Sequence, residues 1–254
     1  MTHANRSQPI KQPAHGSLAV AWRTHIGLVR SINEDRLLVN TDHAIFAVSD
    51  GMGGHLRGDI AAQKVVDALA EVTASTDHHQ TTEAIRGAIG KANADICKEA
   101  LGHGVDVRMG ATVSVLAVTG NRYCCLWAGD SRIYLLRDKQ LSRLTSDHSV
   151  TQDLIDRKLI TESQRNSHPQ ASVITRAIGI SSDLDIATTR GDMLPGDRFL
   201  ICSDGICGIL EDDEIREIML EDTDKPTADH LVEAVINRGA RDNLSFILVH
   251  NRHT

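Results

Sequence analysis

Apolar residues follow two different rhythms along this chain. Short, nearly continuous apolar runs at 17–26 (SLAVAWRTHI), 36–39 (RLLV) and 44–49 (AIFAVS) are bounded by turn-forming residues, and predict strands. Residues 57–74 and 81–101 instead repeat their apolar positions at helical spacing. Ile60, Val65, Leu69 and Val72 mark the first stripe and Ile85, Ile89, Ile96 and Leu101 the second, predicting two amphipathic helices. Strand runs return at 111–118 (ATVSVLAV), 122–128 (RYCCLWA) and 132–137 (RIYLLR). Their short connections predict antiparallel hairpins in which consecutive strands pair. A less regular region runs from Thr145 to about Gly179. Strands are expected again at 185–190 and 197–202, helices at 211–220 and 227–238, and a last strand at 243–250.

Strands in groups, interrupted by helix pairs, predict an α+β fold: a sandwich of antiparallel sheets flanked by helices, in one domain spanning 17–254. Residues 1–16 are polar, contain Pro9, Pro13 and Gly16 and have no period, so they read as a flexible leader. Composition adds that the core is aliphatic, since only 3% of the 254 residues are aromatic while 41% are hydrophobic. A net charge of -7 offers no positive field to nucleic acid or to an anionic membrane, and neither is an expected partner. An acidic chain can still handle anionic phosphate esters if clustered carboxylates hold divalent cations. The five cysteines have no Cys-x-x-Cys spacing and are expected as reduced, buried fillers. With no apolar stretch of about 20 residues and no apolar secretory signal, the expected location is the cytoplasm.

Candidate chemistry lies where strands end. AIFAVS and DRFLICS each run into Asp-Gly, at Asp50-Gly51 and Asp204-Gly205; Asp242 precedes the last strand, and Asp130 follows CLWAG. One Asp-Gly is most often just a turn. Four carboxylates converging on one edge of the sandwich would repel one another strongly unless cations neutralised them, and oxygen-only donors suit Mg²⁺ or Mn²⁺. Upstream, GLVRSINED places Arg30 close to Glu34 and Asp35. This is an ordinary solvated charge cluster on its own, but beside a metal site Arg30 becomes a clasp for phosphate oxygens. GMGGHLRG is no dinucleotide loop, because Leu56 stands where the third glycine belongs, and GAIGKAN lacks P-loop spacing.

In order, GLVRSINED, SDGMGGH, GATVSVL, AGDSR, LTSDHS, VITRAIG, CSDG and RDNLS resemble the metal-dependent protein phosphatases of the protein phosphatase 2C type, particularly the bacterial serine/threonine branch. The resemblance spans about residues 17 to 250. It implies a central β-sandwich with pairs of α-helices outside, in αββα layers. It also implies two catalytic Mn²⁺ or Mg²⁺ ions, with Asp50 bridging them, the Gly51 carbonyl on one, and Asp204 and Asp242 on the other. Glu34 and Asp35 would act partly through waters, and Asp130 with Asp204 would form a weaker third site. The implied reaction is in-line attack of a metal-activated water on phosphoserine or phosphothreonine, with Arg30 holding the phosphate and Asp50 central to catalysis. The stretch from about 151 to 177 corresponds to a flap beside the site.

Met52 follows the Asp-Gly pair where eukaryotic relatives often carry a histidine, and it cannot donate a proton. His55 or a metal-bound water are the remaining donors. No catalytic role is assigned to His148, Ser149 or Arg176. The expected partners are phosphorylated proteins and a cognate Ser/Thr kinase, with the enzyme a monomer. Two other readings stay open: a hydrolase of small phosphate esters, which needs the same metals, and a silent binding module, in which the metal acids are normally lost.

Overall fold

The computed structural model of the protein describes residues 18–53, 57–102, 109–221 and 224–252. Two five-stranded antiparallel sheets lie face to face. One joins, in order, β1 (Leu18–His25), β12 (Leu244–Asn251), β11 (Arg198–Cys202), β8 (Arg132–Arg137) and β9 (Gln140–Arg143). The other joins β10 (Ala187–Asp192), β7 (Arg122–Ala128), β6 (Val113–Thr119), β3 (Ile45–Ser49) and β2 (Arg36–Asn40). A small ribbon of β4 (Gly51–Met52) and β5 (Gly110–Ala111) continues beyond β3.

Both faces of each sheet are covered, which explains the continuous apolar runs. In β3, Phe46 and Val48 face the other sheet and meet Ile133, Phe199, Ile201 and Ile247. Their neighbours Ile45 and Ala47 face outward, onto Val65, Leu69, Ile85 and Ile89 of α1 (Gly58–Ala70) and α2 (His78–Gly102). On the opposite outer face, α4 (Asp204–Cys207), α5 (Asp212–Met219) and α6 (Asp224–Ile236) cover Leu200, Phe246 and Leu248. The layers are therefore helix, sheet, sheet, helix, as the sequence led us to expect. Each fully buried Leu, Ile, Val or Phe contributes about 1.5–3 kcal/mol.

Some expectations are corrected. β7 and β8 do not pair: the turn at Gly129, φ +116°, sends the chain into the other sheet, where β8 lies between β11 and β9. A Cβ on Gly129 would sit 2.6 Å from Thr112 Cγ2, so a side chain here would collide as well as strain the backbone. Ile60 and Leu101 are exposed, at 41% and 76%, because they fall off the stripes that Ala61, Val65 and Leu69, and Ile85, Ile89 and Ile96, bury. Cys97 is only partly buried, on the flank of α2, while the other four cysteines are buried and all five are free. The proposed leader lies outside the described residues.

The irregular region contains α3 (Val150–Asp156), too short for its period to be read, with the Ser149 hydroxyl accepting from Gln152 N at its start. The excursion is closed at its neck by Val150 N to Val173 O at 2.9 Å and Thr175 N to His148 O at 2.7 Å. Inside it, Arg132 grips Asp147 through two bonds of 2.9 and 2.7 Å, and Arg165 reaches the same carboxylate at 3.1 Å. All three side chains are buried, so the excursion is anchored to the sandwich by charge as well as by backbone.

Candidate active site

Asp50 and Asp130 are brought to one end of the sandwich by a chain of hydroxyls. Asp50 N donates to Thr112 Oγ1 at 3.0 Å, and Thr112 N donates to Asp50 O at 2.8 Å. Thr112 Oγ1 meets Ser131 Oγ at 2.7 Å, while the Ser114 hydroxyl donates to Ser131 O at 2.6 Å. The end of β3, the start of β6 and the β7–β8 turn are thereby tied together. Asp204 and Asp242 arrive from the other sheet, after β11 and before β12. The four carboxylates thus meet at one edge of the sandwich, where the ends of the two sheets come together.

The loop after β1 closes over this end. Asn243 Nδ2 donates to Ile26 O and Ile32 O, both at 2.9 Å, and its Oδ1 accepts from Glu34 N at 2.8 Å. Glu34 O in turn accepts from Gly51 N at 3.3 Å. A Cβ on Gly51 would lie 2.1 Å from Gly58 O, so the backbones of β4 and α1 touch here in a way only glycine permits. Asp35 is buried: its Oδ2 accepts from the Ser203 hydroxyl at 2.9 Å, and its Oδ1 has no partner. Arg30 stands at the mouth, with Nη2 2.6 Å from Asp242 Oδ2.

Electrostatically these acids are in conflict. Burial, then the charges of Asp204 and Asp242, push Asp35 up to about 7 against the help of Ser245 and Ser203. Burial, then Asp204 and Asp147, push Asp130 up to about 8. Asp50 is raised well above the usual carboxylate range by burial and by Asp35, Asp204 and Asp130. Asp204 is raised by burial and by Asp242, with Asp50 hydrogen-bonded to it. Glu34 is raised chiefly by burial.

Such a set fits hard divalent cations. Its donors are all oxygen, its carboxylates repel at neutral pH, and the Asp35 Oδ1 lone pairs are buried without a hydrogen bond. Among the described residues the acids do not yet close into a cage of three or more ligating side chains; Asp242 leans on Arg30 and Asp35 on Ser203. A cavity of about 230 Å³ opens beside Asp130, Asp204 and Asp242, walled on the far side by the excursion.

A family model described as protein phosphatase 2C matches residues 28–248. The chain belongs to the protein phosphatase 2C family. The serine/threonine protein phosphatase PstP of Mycobacterium tuberculosis is 33% identical over 231 residues, 91% of this chain but 44% of its own length. The chain thus spans less than half of that curated relative. PppA of Pseudomonas aeruginosa, a regulatory component of T6SS, superposes with a TM-score of 0.86 at 36% identity, covering 92% of this chain and 98% of that one. The catalytic domain of PstP in complex with two manganese ions superposes at 0.82 with 31% identity, covering 92% and 97%.

The protein phosphatase 2C fold thus gathers Arg30, Glu34, Asp35, Asp50, Gly51, Asp130, Asp204 and Asp242 in one place. His55 lies outside the described residues. His148 is a buttress: its ring lies parallel to Trp127, and its Nδ1 accepts from Gly129 N at 3.2 Å, steadying the turn that carries Asp130. Burial, then Arg176, push it down to about 4. Arg176 pairs with Asp185 at 2.6 Å. Sequence reasoning missed the supports: Asn243, Ser203, Thr112 and Ser131. Asn243 and Ser131 lie inside RDNLS and AGDSR, and Ser203 directly precedes Asp204, so adjacency to an acid was the available signal.

Proposed function

We propose that this chain is a Mn²⁺- or Mg²⁺-dependent protein serine/threonine phosphatase that hydrolyses phosphoserine and phosphothreonine in proteins. The observation that carries the reading is five aspartates crowded at one end of the sandwich, with a buried, unbonded Asp35 oxygen among them and an exposed guanidinium above. Family membership and the named relatives support the same reaction class.

In this reading Asp50, the Gly51 carbonyl, Asp204 and Asp242 would hold the two catalytic cations. Glu34 and Asp35 would contribute partly through waters, and Asp130 with Asp204 would form a weaker third site. Bound there, the ions offset phosphate charge and lower the pKa of a water enough for it to act as a nucleophile near neutral pH. The chain's own residues do the remainder. Arg30 offers a planar fork of donors to the phosphate and sits on an exposed loop from which it can reach it. Arg30, paired here with Asp242, would be released toward substrate where that carboxylate turns to a cation. The Ser203 hydroxyl and Asn33, whose Oδ1 accepts from Asp35 N at 3.0 Å, fix Asp35. Met52 cannot carry a proton, so leaving-group protonation falls to a bound water or to His55.

We further read the chain as one catalytic domain over 17–254, with 151–177 as a flap, working as a monomer in the cytoplasm against a Ser/Thr kinase. Among the described residues no helix is long and apolar enough to cross a membrane. The test is calorimetric titration of Mn²⁺ into the protein and its Asp50→Asn variant, with phosphate release from a phosphothreonine peptide followed in parallel. The reading expects binding and turnover to be lost together; full turnover in the variant contradicts it.

A further inference from the structure

The cavity beside the acids extends beyond the side chains assigned to cations. Asp130, Asp204 and Asp242 form one wall; other lining residues include Arg241 on the rim, Arg132, Asp147 and Arg165 at the base, and Asn166 and Ser172 of the excursion. The arginines are unevenly matched. Arg132 and Arg165 share the single Asp147 carboxylate, whose two oxygens accept from both guanidiniums. Glu162 takes the outer side of Arg165, at 2.7 and 3.0 Å, and does not line the cavity. Asp212 approaches Arg132 only at 4.0 Å and also lies outside it. Arg241 is exposed, and no hydrogen bond or ion pair holds its guanidinium among the described residues. Arg132 also donates to Tyr134 and Arg165 to Gln152, so the two base arginines are committed and the unheld guanidinium at this space, among the described residues, is that of Arg241.

Its position relative to the reaction is fixed by adjacent residues. Asp242, which Arg30 contacts at 2.6 Å, is the wall shared by the mouth of the site and the cavity, and Arg241 is its neighbour in the chain. A peptide whose phosphate lies at Arg30 can therefore send a flanking side chain past Asp242 into the cavity, each extended residue adding roughly 3.3–3.6 Å of reach. A charged partner for the exposed Arg241 strengthens binding without entering the chemistry.

We propose that this cavity is a second anion subsite, which receives an acidic or phosphorylated side chain a few residues from the phosphoresidue being hydrolysed, with Arg241 as its specificity-determining residue. The inference rests on the phosphatase reading of the same cleft. It makes the excursion a wall of the substrate site, since Arg165 brings Asn166 to the cavity.

The test uses phosphothreonine peptides in which one glutamate is moved from four residues before to four residues after the phosphothreonine, each compared with glutamine at the same place. At one or two positions glutamate should raise kcat/KM by about 2- to 5-fold through KM, the scale of one exposed ion pair. Arg241→Ala should bring that glutamate-to-glutamine ratio to one, and Arg241→Lys should retain part of it. Using the ratio within each protein removes any general loss of activity in the variant. A second phosphothreonine at the responsive position distinguishes the source: a larger response assigns the subsite to phosphate, an equal one to any anion, and both support it. Turnover with no positional glutamate effect, or an effect unchanged in Arg241→Ala, overturns the subsite while leaving the phosphatase reading standing. Absence of turnover on every peptide with Mn²⁺ present overturns both.

Discussion

Arg30 Nη2 lies 2.6 Å from Asp242 Oδ2, joining the loop after β1 to the segment before β12 across the mouth of the acidic cleft. Both side chains are about half exposed, so the pair is screened and individually weak. If a cation competes for Asp242, removing Arg30 has opposite effects on metal and on substrate. Arg30→Ala should tighten Mn²⁺ binding by up to about 5-fold, the scale of an exposed ion pair. It should also lower kcat/KM on a phosphothreonine peptide by about 10- to 100-fold, the scale of a charge-assisted phosphate contact. Calorimetry and steady-state kinetics on one preparation check both. A parallel loss of metal affinity would make Arg30 a scaffold residue instead.

The crowded carboxylates predict an unusual pH dependence of stability without cations. Asp35 is pushed up to about 7 and Asp130 to about 8 in the folded protein, whereas both titrate near the ordinary carboxylate value, about 3.9, when unfolded. The folded state thus binds more protons, and stability falls as pH rises through the folded values. Melting temperature in excess chelator should drop from about pH 7 to about pH 8.5. His148, pushed down to about 4, is neutral over that window in the folded protein. Excess Mn²⁺ should remove or reverse the slope, because its ligands bind when deprotonated. A chelated protein equally stable across the window would contradict the repulsion inferred here.

The acids were legible in the sequence because each sits in a short string that combines a buried strand with a glycine or an abrupt polar turn. Their supports were not. The Ser203 hydroxyl that holds Asp35 comes from 168 positions away, and the Asn243 amide that holds Glu34 from 209. Only folding brings such partners together. The sandwich was readable from period and grouping, yet the transfer of β8 to the second sheet turns on the three residues Gly129, Asp130 and Ser131. Hairpin spacing alone cannot distinguish a tight turn from a crossing between sheets. The short α3 and α4 escaped because one or two turns of helix carry no readable period.

Asp147 holds both Arg132 and Arg165 in a buried site, so its removal takes the close carboxylate from buried Arg132 and leaves Arg165 to Glu162 and Gln152. Asp147→Ala should cost about 3–5 kcal/mol in denaturant unfolding. Amide exchange in residues 150–173 should accelerate more than in β3 or β11, because the excursion loses its charged anchor while its backbone neck survives. Uniform acceleration across the sandwich would show that the anchor serves the whole fold.

Gly51 has no room for a side chain: a Cβ would stand 2.1 Å from Gly58 O and 2.9 Å from Glu34 O. Gly51→Ala should separate β4 from α1 and displace the Gly51 carbonyl and Glu34 together. Mn²⁺ affinity is expected to fall more than about 10-fold, measured by calorimetry on protein whose circular dichroism shows it still folded. Unchanged affinity would remove this backbone contact from the metal site.

The most direct test of the central claim is phosphate release from a phosphothreonine peptide in excess EDTA, then after Mn²⁺ or Mg²⁺ is restored beyond the chelator. The account predicts no release in EDTA and recovery with either ion. Release that EDTA does not diminish, or none from folded protein with both ions supplied in turn, would contradict it.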